Sequence, residues 1–255
     1  MELIFTGTSA ADFSPLLKTT YAHTFGKDAR RSSGLLLDRH IQIDCGYHTV
    51  GSLGILGVPL SDITDILITH THQDHFLPEE IEKIAAAPRH EKLRVWIHGA
   101  AASACSLKHC EVIGLTALRS VKLGAYEITP LDANHTGCPL HYYIEDGHKR
   151  VFYGCDGAWL LTDTYYFLKD KHLDMMILDG TVGDYTGDYR MAEHNSIPMI
   201  RLMLPSLRNF GVIDEHTQVW LSHIAPSLHK SHAETEAFLR AEGLHLAYDG
   251  LTVNI

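Results

Sequence analysis

The 255-residue sequence holds five cysteines, and no two of them form a C-x-x-C pair. Cys45, Cys105, Cys110, Cys138 and Cys155 are scattered and odd in number, which argues against a disulfide framework or a thiolate zinc finger. Cys105 and Cys110, with His109 beside the second, read as small apolar fillers near a helix rather than as metal ligands. No apolar run approaches the ~18 residues needed to span a bilayer. The opening M-E-L-I-F-T-G-T has neither the basic start nor the apolar stretch of a signal peptide, so the expected setting is cytoplasmic. Basic residues are also scarce: 21 Lys and Arg against 31 Asp and Glu leave a formal charge of −10. That balance argues against a broad grip on nucleic acid, which needs clustered cations. It still admits a small phosphate ester, because a bound cation outweighs the global field locally. With no repeats, low-complexity tracts or linker-like segments, residues 1–255 read as a single domain.

What the chain has in excess is histidine, 19 in all. Three of them crowd into I-L-I-T-H-T-H-Q-D-H-F (66–76), at the end of an aliphatic run. Strand-like segments repeatedly end in such a residue. I-D-C-G supplies Asp44, L-D-A-N-H His135, V-F-Y-G-C-D-G Asp156 and V-W-L-S-H His223. Loops at the ends of a rigid sheet are where functional groups converge. In an extended loop His70 and His72 project to one side and can clasp one ion, while Asp74 and His75 face a second position. Imidazole and carboxylate suit zinc, manganese or iron. Two cations ~3.5–4 Å apart need a bridging anion, and Asp156 is the carboxylate for that position.

The secondary-structure pattern is mixed. Strands are expected in the opening L-I-F-T-G-T, at 34–37 and 41–43 as a hairpin, and at 65–69, 94–98, 125–131, 140–145, 150–154, 174–179 and 218–222. Helices are expected at 52–58, after Pro78, and at 161–170, 195–208 and 231–242. Meandering strands followed by strands with helices between them predict an α+β, four-layer αββα sandwich.

T-H-T-H-Q-D-H, followed in order by His135, Asp156 and His223 and preceded by Asp44, resembles the ordered motifs of the metallo-β-lactamase superfamily. The resemblance implies two divalent ions: His70, His72 and His135 on the first, Asp74, His75 and His223 on the second, and Asp156 bridging. Asp44 would orient the ligand loop without touching metal. L-I-F-T-G-T, R-R-S-S-G, E-H-N-S, S-H-I and Y-D-G-L are similar to the phosphoribosyl cyclic phosphodiesterase (PhnP-like) branch. That likeness implies a phosphodiesterase acting on a small cyclic phosphate or diester, with metal-activated water as nucleophile. His194 would protonate the leaving group, and Asp74 is the second candidate catalytic residue. The sequence departs from that branch at D-F-S-P-L-L-K-T-T-Y (12–21), where a cysteine-rich zinc site would stand.

The alternatives are a tRNA 3′-processing type of endoribonuclease, a lactonase or thioesterase of the same fold, and a metal-binding scaffold protein. The missing basic arm and the acidic charge count against the first. The expected partner is a small phosphate ester, without a membrane or a large nucleic acid, and a homodimer is left open. His229 and His232 read as a solvated helix start, His48 as a neighbour of the site or a surface group, and Ser32 and Ser33 as turn-satisfying. Tyr185 and Tyr189 lie in a Gly- and Asp-rich rim over 180–193. His23, His98, His141 and His245 receive no role from their spacing.

Overall fold

The structure is a computed structural model that describes residues 1–13 and 24–255. The chain divides into two compact units, Met1–Thr116 with Tyr248–Asn254 and Ala117–Ala247 with Ile255. Each is built on one seven-stranded mixed sheet.

The first unit contains β1 (Glu2–Gly7), β2 (Gly34–Leu37), β3 (Ile41–Ile43), β4 (Asp65–Leu67), β5 (Leu93–His98), β6 (Cys110–Leu115) and β14 (Thr252–Asn254). Their order is β14-β1-β2-β3-β4-β5-β6. The β2–β3 hairpin closes through Asp38 and Arg39, both left-handed at φ 43° and 62°, the backbone sign that a tight hairpin turn requires. From β3 to β6 the strands run parallel, so their connections cross over through α1 (Thr49–Ile55), α2 (Pro78–Ala85) and α3 (Gly99–Ala102). Pro78 opens α2, Glu79 and Glu80 follow in its first turn and Lys83 in its last, as the helix dipole favours. Ile81 and Ile84 of α2 join Ile66, Ile68, Val95 and Leu36 in one core cluster.

Two motifs distant in sequence meet inside this unit. Asp249, from Y-D-G-L, accepts from the backbone N of Arg31 at 2.7 Å and from the Thr8 hydroxyl at 2.8 Å. Arg30 donates to the same hydroxyl at 2.6 Å. Burial pushes the Asp249 carboxyl up to about 6 against the pull of Thr8 and the two arginines.

The second unit contains β7 (Val121–Leu123), β8 (Tyr126–Asp132), β9 (Leu140–Glu145), β10 (Arg150–Gly154), β11 (Met175–Asp179), β12 (Gln218–Ser222) and β13 (Leu244–Leu246). Strands β7 to β10 form an antiparallel meander, and β10 to β13 are parallel. α4 (Thr162–Leu168), α5 (Ile197–Asn209) and α6 (His232–Ala241) lie between the later strands. Ser196 and Ser231 cap α5 and α6 with their side chains. Ile197, Ile200, Leu204 and Leu207 of α5 pack with Phe152, Met176 and Leu221 in this unit's core.

The expected central strands and the principal helices are present within a few residues of their predicted ends. Strands β6, β7, β13 and β14 and the short α3 add to the expectation. Cys110 opens an edge strand and packs with Ile81, Ile84 and Ala85 of α2 in one core cluster, a small apolar filler near a helix as the sequence suggested. No helix among the described residues is long and apolar enough to cross a membrane.

Candidate metal centre

In the first unit, β3 and β4 end side by side and deliver Asp44 and, three residues past Leu67, His70. Asp44 is fully buried. It accepts from the backbone N and the hydroxyl of Thr69 at 2.8 and 2.9 Å, and from His75 Nδ1 at 2.8 Å. The Thr69 hydroxyl, already donating to Asp44, lies 3.0 Å from His70 Nδ1 and so accepts from it. His70 Nε2 then faces His72 Nδ1 at 3.0 Å, and His75 Nε2 faces Asp74 Oδ2 at 3.2 Å. The loop folds tightly, with His75 N and Phe76 N both donating to His72 O. Gly46 is obligatory beside it, since a Cβ there would lie 1.8 Å from Asp74 O.

The second unit repeats the device. Asp156 follows β10 by two residues, Asp179 ends β11 and His223 follows β12, all at the same end of parallel strands. The Asp156 oxygens face different imidazoles: Oδ1 lies 3.5 Å from His135 Nε2, and Oδ2 lies 3.3 Å from His223 Nε2. His223 Nδ1 is 2.7 Å from the Thr181 hydroxyl, which itself donates to His223 O. His135 Nδ1 donates to Glu193 O at 3.3 Å. His194 Nδ1 meets two carboxylates, Asp179 Oδ2 at 2.8 Å and Asp156 Oδ1 at 3.0 Å. Burial opposes the charged His194 ring, but Asp179 and Asp156 outweigh it and push its pKa up to about 11. Asp179 is fully buried, which works against its charge, yet His194 and His223 hold it below the usual carboxylate range.

These hydrogen bonds fix tautomers. His70, His75, His135 and His223 each spend Nδ1–H on a neighbour, which leaves a lone pair on Nε2. Three of those lone pairs point at a carboxylate oxygen, 3.2 to 3.5 Å away. Two lone-pair atoms at that distance repel unless a cation stands with them. Asp156, Asp179, His194 and His223 also offer ligand atoms within 4.8 Å of one another. The residues present therefore fit divalent metal ions.

Three of the strand-end residues have left-handed backbone: Asp44 at φ 62°, Asp156 at 64° and His223 at 56°. Such strain is retained where surrounding structure over-determines it, as functional sites commonly do.

Over its whole length the chain is similar to solved structures. It matches the metallo-β-lactamase fold protein YhfI from Bacillus subtilis at 16% identity, covering 99% of this chain and 98% of that one, with a TM-score of 0.74. Zinc-bound PqqB from Methylobacterium extorquens matches at 15% identity and a TM-score of 0.76, covering 100% of both chains. The fold is the metallo-β-lactamase fold. A diphosphatase of the PhnP family shares this metallo-β-lactamase fold, at 17% identity and a TM-score of 0.72, covering 99% of this chain and 96% of that one. A family model described as anti-Pycsar protein Apyc1 matches residues 19–105. No curated protein matches the sequence.

Within this metallo-β-lactamase fold, Asp179 is the site residue that the sequence analysis passed over. The signal was present, because β11 ends in a carboxylate as β10 nearly does. Other marked residues fall outside the donor sets. His48 is half-buried, and its Nδ1 accepts from Ser32 N at 3.1 Å. Burial first, and Arg31 second, lower its pKa to about 4. Ser33 donates to Ser9 O. His229 donates to Gly180 O at 2.7 Å. His232 opens α6 but is buried, 3.5 Å from Glu236, so it is not solvated as expected. Tyr185 and Tyr189 are exposed. His23, and 14–21 of the stretch 12–21, lie outside the described residues.

Proposed function

We propose that the chain is a metal-dependent hydrolase, a phosphodiesterase that cleaves a small cyclic phosphate or phosphate diester. The observation that carries the reading is the pairing of His194 with Asp179 and Asp156, the latter facing the Nε2 atoms of His135 and His223.

In this reading His70, His72 and His135 would hold one ion, Asp74, His75 and His223 would hold another, and Asp156 would be shared by both. Asp44 orients His75. Support for joining the two donor sets comes from their order in the sequence and from the full-length likeness to proteins of this fold. Zinc or manganese, with iron as a third choice, suits the nitrogen and oxygen donors. The ions, when bound, lower the pKa of a water from 15.7 towards about 7 and offset charge on the phosphoryl oxygens.

The chain's own residues do the rest. Asp74 accepts a hydrogen bond from the attacking water. His194 donates its proton to the departing alkoxide oxygen. Its Nδ1–H stays on Asp179 and Asp156, whose charges keep the ring protonated, so the proton donated is that of Nε2. A leaving alkoxide has need of such a donor. A cytoplasmic setting belongs to the same proposal, in keeping with five cysteines that form no disulfide.

The test is phosphorus NMR of manganese- or zinc-loaded protein with a ribose 1,2-cyclic phosphate, a 2′,3′-cyclic nucleotide and a linear dinucleotide, with Asp156→Ala as the blank. Turnover of an ester, absent in the blank, is the expected result. Unchanged spectra from fully metallated protein would overturn the reading.

A further inference from the structure

His141 stands on β9 with 2% exposure, and neither ring nitrogen makes a hydrogen bond. Burial lowers the ring's pKa to about 4, against the pull of the nearby Asp156 backbone, whose geometry falls short of a bond. Burying an imidazole unbonded carries a desolvation cost that leucine or phenylalanine would avoid. Its neighbours suggest what offsets that cost.

Leu131 of β8 lies opposite on the sheet, and Phe152 meets the ring edge-on at 5.4 Å. The Nε2 edge points at the loops. A Cβ at Gly157 would lie 2.8 Å from His141 Nε2 and 3.0 Å from Cε1, with Asn134 N next at 3.8 Å. Gly157 adjoins Asp156, and Asn134 adjoins His135. The two turns are tied by Ala158 N donating to Asn134 O at 3.2 Å. From the other side Asn195 Nδ2 donates to Gly157 O at 3.0 Å and Asn195 Oδ1 accepts from Trp159 N at 2.9 Å. The Asp156–Gly157 turn is thus held between a ring and an amide. In the Nδ1–H tautomer the Nε2 edge carries no hydrogen, so a backbone can approach more closely than it could to a phenyl C–H edge.

We propose that His141 is a positioning residue for the metal centre: its ring sets the height of the Asp156–Gly157 turn and, through the tie to Asn134, the separation of Asp156 from His135. The inference rests on the metal centre of the proposed function, but its test needs no substrate. Metal-free full-length protein is titrated with manganese or zinc by calorimetry, and cobalt-loaded protein is examined by visible absorption. His141→Phe keeps the ring's shape and should lower metal affinity by about 10- to 100-fold, the usual effect of losing an outer partner of a ligand. It should also shift the cobalt spectrum, which a purely structural role would leave alone. His141→Gln, which carries a polar atom to the Nε2 position, should stay within about threefold of the parent. Gly157→Ala should weaken binding as His141→Phe does, and combining it with His141→Ala should recover part of the loss.

Parental affinity and an unshifted spectrum in folded His141→Phe would overturn the proposal. If that variant does not fold, absence of recovery in the double variant would overturn it. A parent protein that binds no divalent metal would instead remove the metal centre itself, and the two failures are told apart by that one titration.

Discussion

His75 Nδ1 donates to Asp44 Oδ2 at 2.8 Å, and both side chains are wholly buried. The bond fixes the ring's tautomer and its rotation, so Nε2 can only face Asp74. Asp44→Asn conserves shape but withdraws the charge that favours the Nδ1 proton. Metal affinity should fall by about 10- to 100-fold, with lowered thermal stability in the loaded protein. Calorimetric titration with zinc checks the first effect, and melting with and without chelator the second.

His194→Ala addresses the leaving group. For a substrate that departs as an alkoxide the rate should fall by about 10²- to 10⁴-fold, the usual worth of a positioned proton donor. For p-nitrophenolate, which leaves without a proton, the loss should be several-fold at most. Bound metal, counted by elemental analysis, should be unchanged. Equal losses on both esters would remove the general-acid role.

Stability should depend on pH through His48. Its folded pKa, about 4, lies below the ordinary value of 6.5. Between the two the unfolded chain binds a proton that the folded chain refuses, so stability is full above 6.5 and declines as pH falls towards 4. His48→Gln removes the titration. Urea midpoints of metal-free protein should therefore favour the parent at pH 7, and the margin should shrink or reverse at pH 5. A constant margin would contradict the assignment.

Two glycines of the first unit should respond in opposite ways. Gly46→Ala drives a methyl into the Asp74 carbonyl, 1.8 Å away, and should cost ~3 kcal/mol or more, because backbone has to move. Gly54, inside α1, has nothing within 4 Å of its added Cβ. Gly54→Ala should stabilise by ~0.5–1 kcal/mol. Urea denaturation of both variants against the parent reads the contrast.

Legibility in the sequence followed burial. Central strands such as β9 and β10, nearly all buried, announce themselves by apolar and aromatic runs and were located at residues 140–145 and 150–154. The four strands that went unseen, β6, β7, β13 and β14, are the outermost strands of their sheets. An edge strand is half-solvated, and three of these four, all but β6, have only three residues, so they satisfy no strong pattern; T-V-N of β14 alternates exposed, buried, exposed. Donor residues at the ends of aliphatic strands were legible because residue type and position coincided. Asp179 carries the same strand-end signal, but what sets it apart, its contacts with His194, 15 residues away, and His223, is visible only in the structure. His141 was opaque for the same reason. An imidazole's burial and its distance from Gly157 have no local sequence signature.

The left-handed backbone at Asp44, Asp156 and His223 has a consequence for how this chemistry could decay. At those positions an L-amino acid is tolerated for its side chain in spite of its backbone. A descendant copy relieved of its catalytic task would gain by drifting there to glycine or asparagine, while its buried strands stayed aliphatic. Residues 44, 156 and 223 would thus serve as a molecular fossil record, separating copies that have lost only their activity from those losing the fold as well.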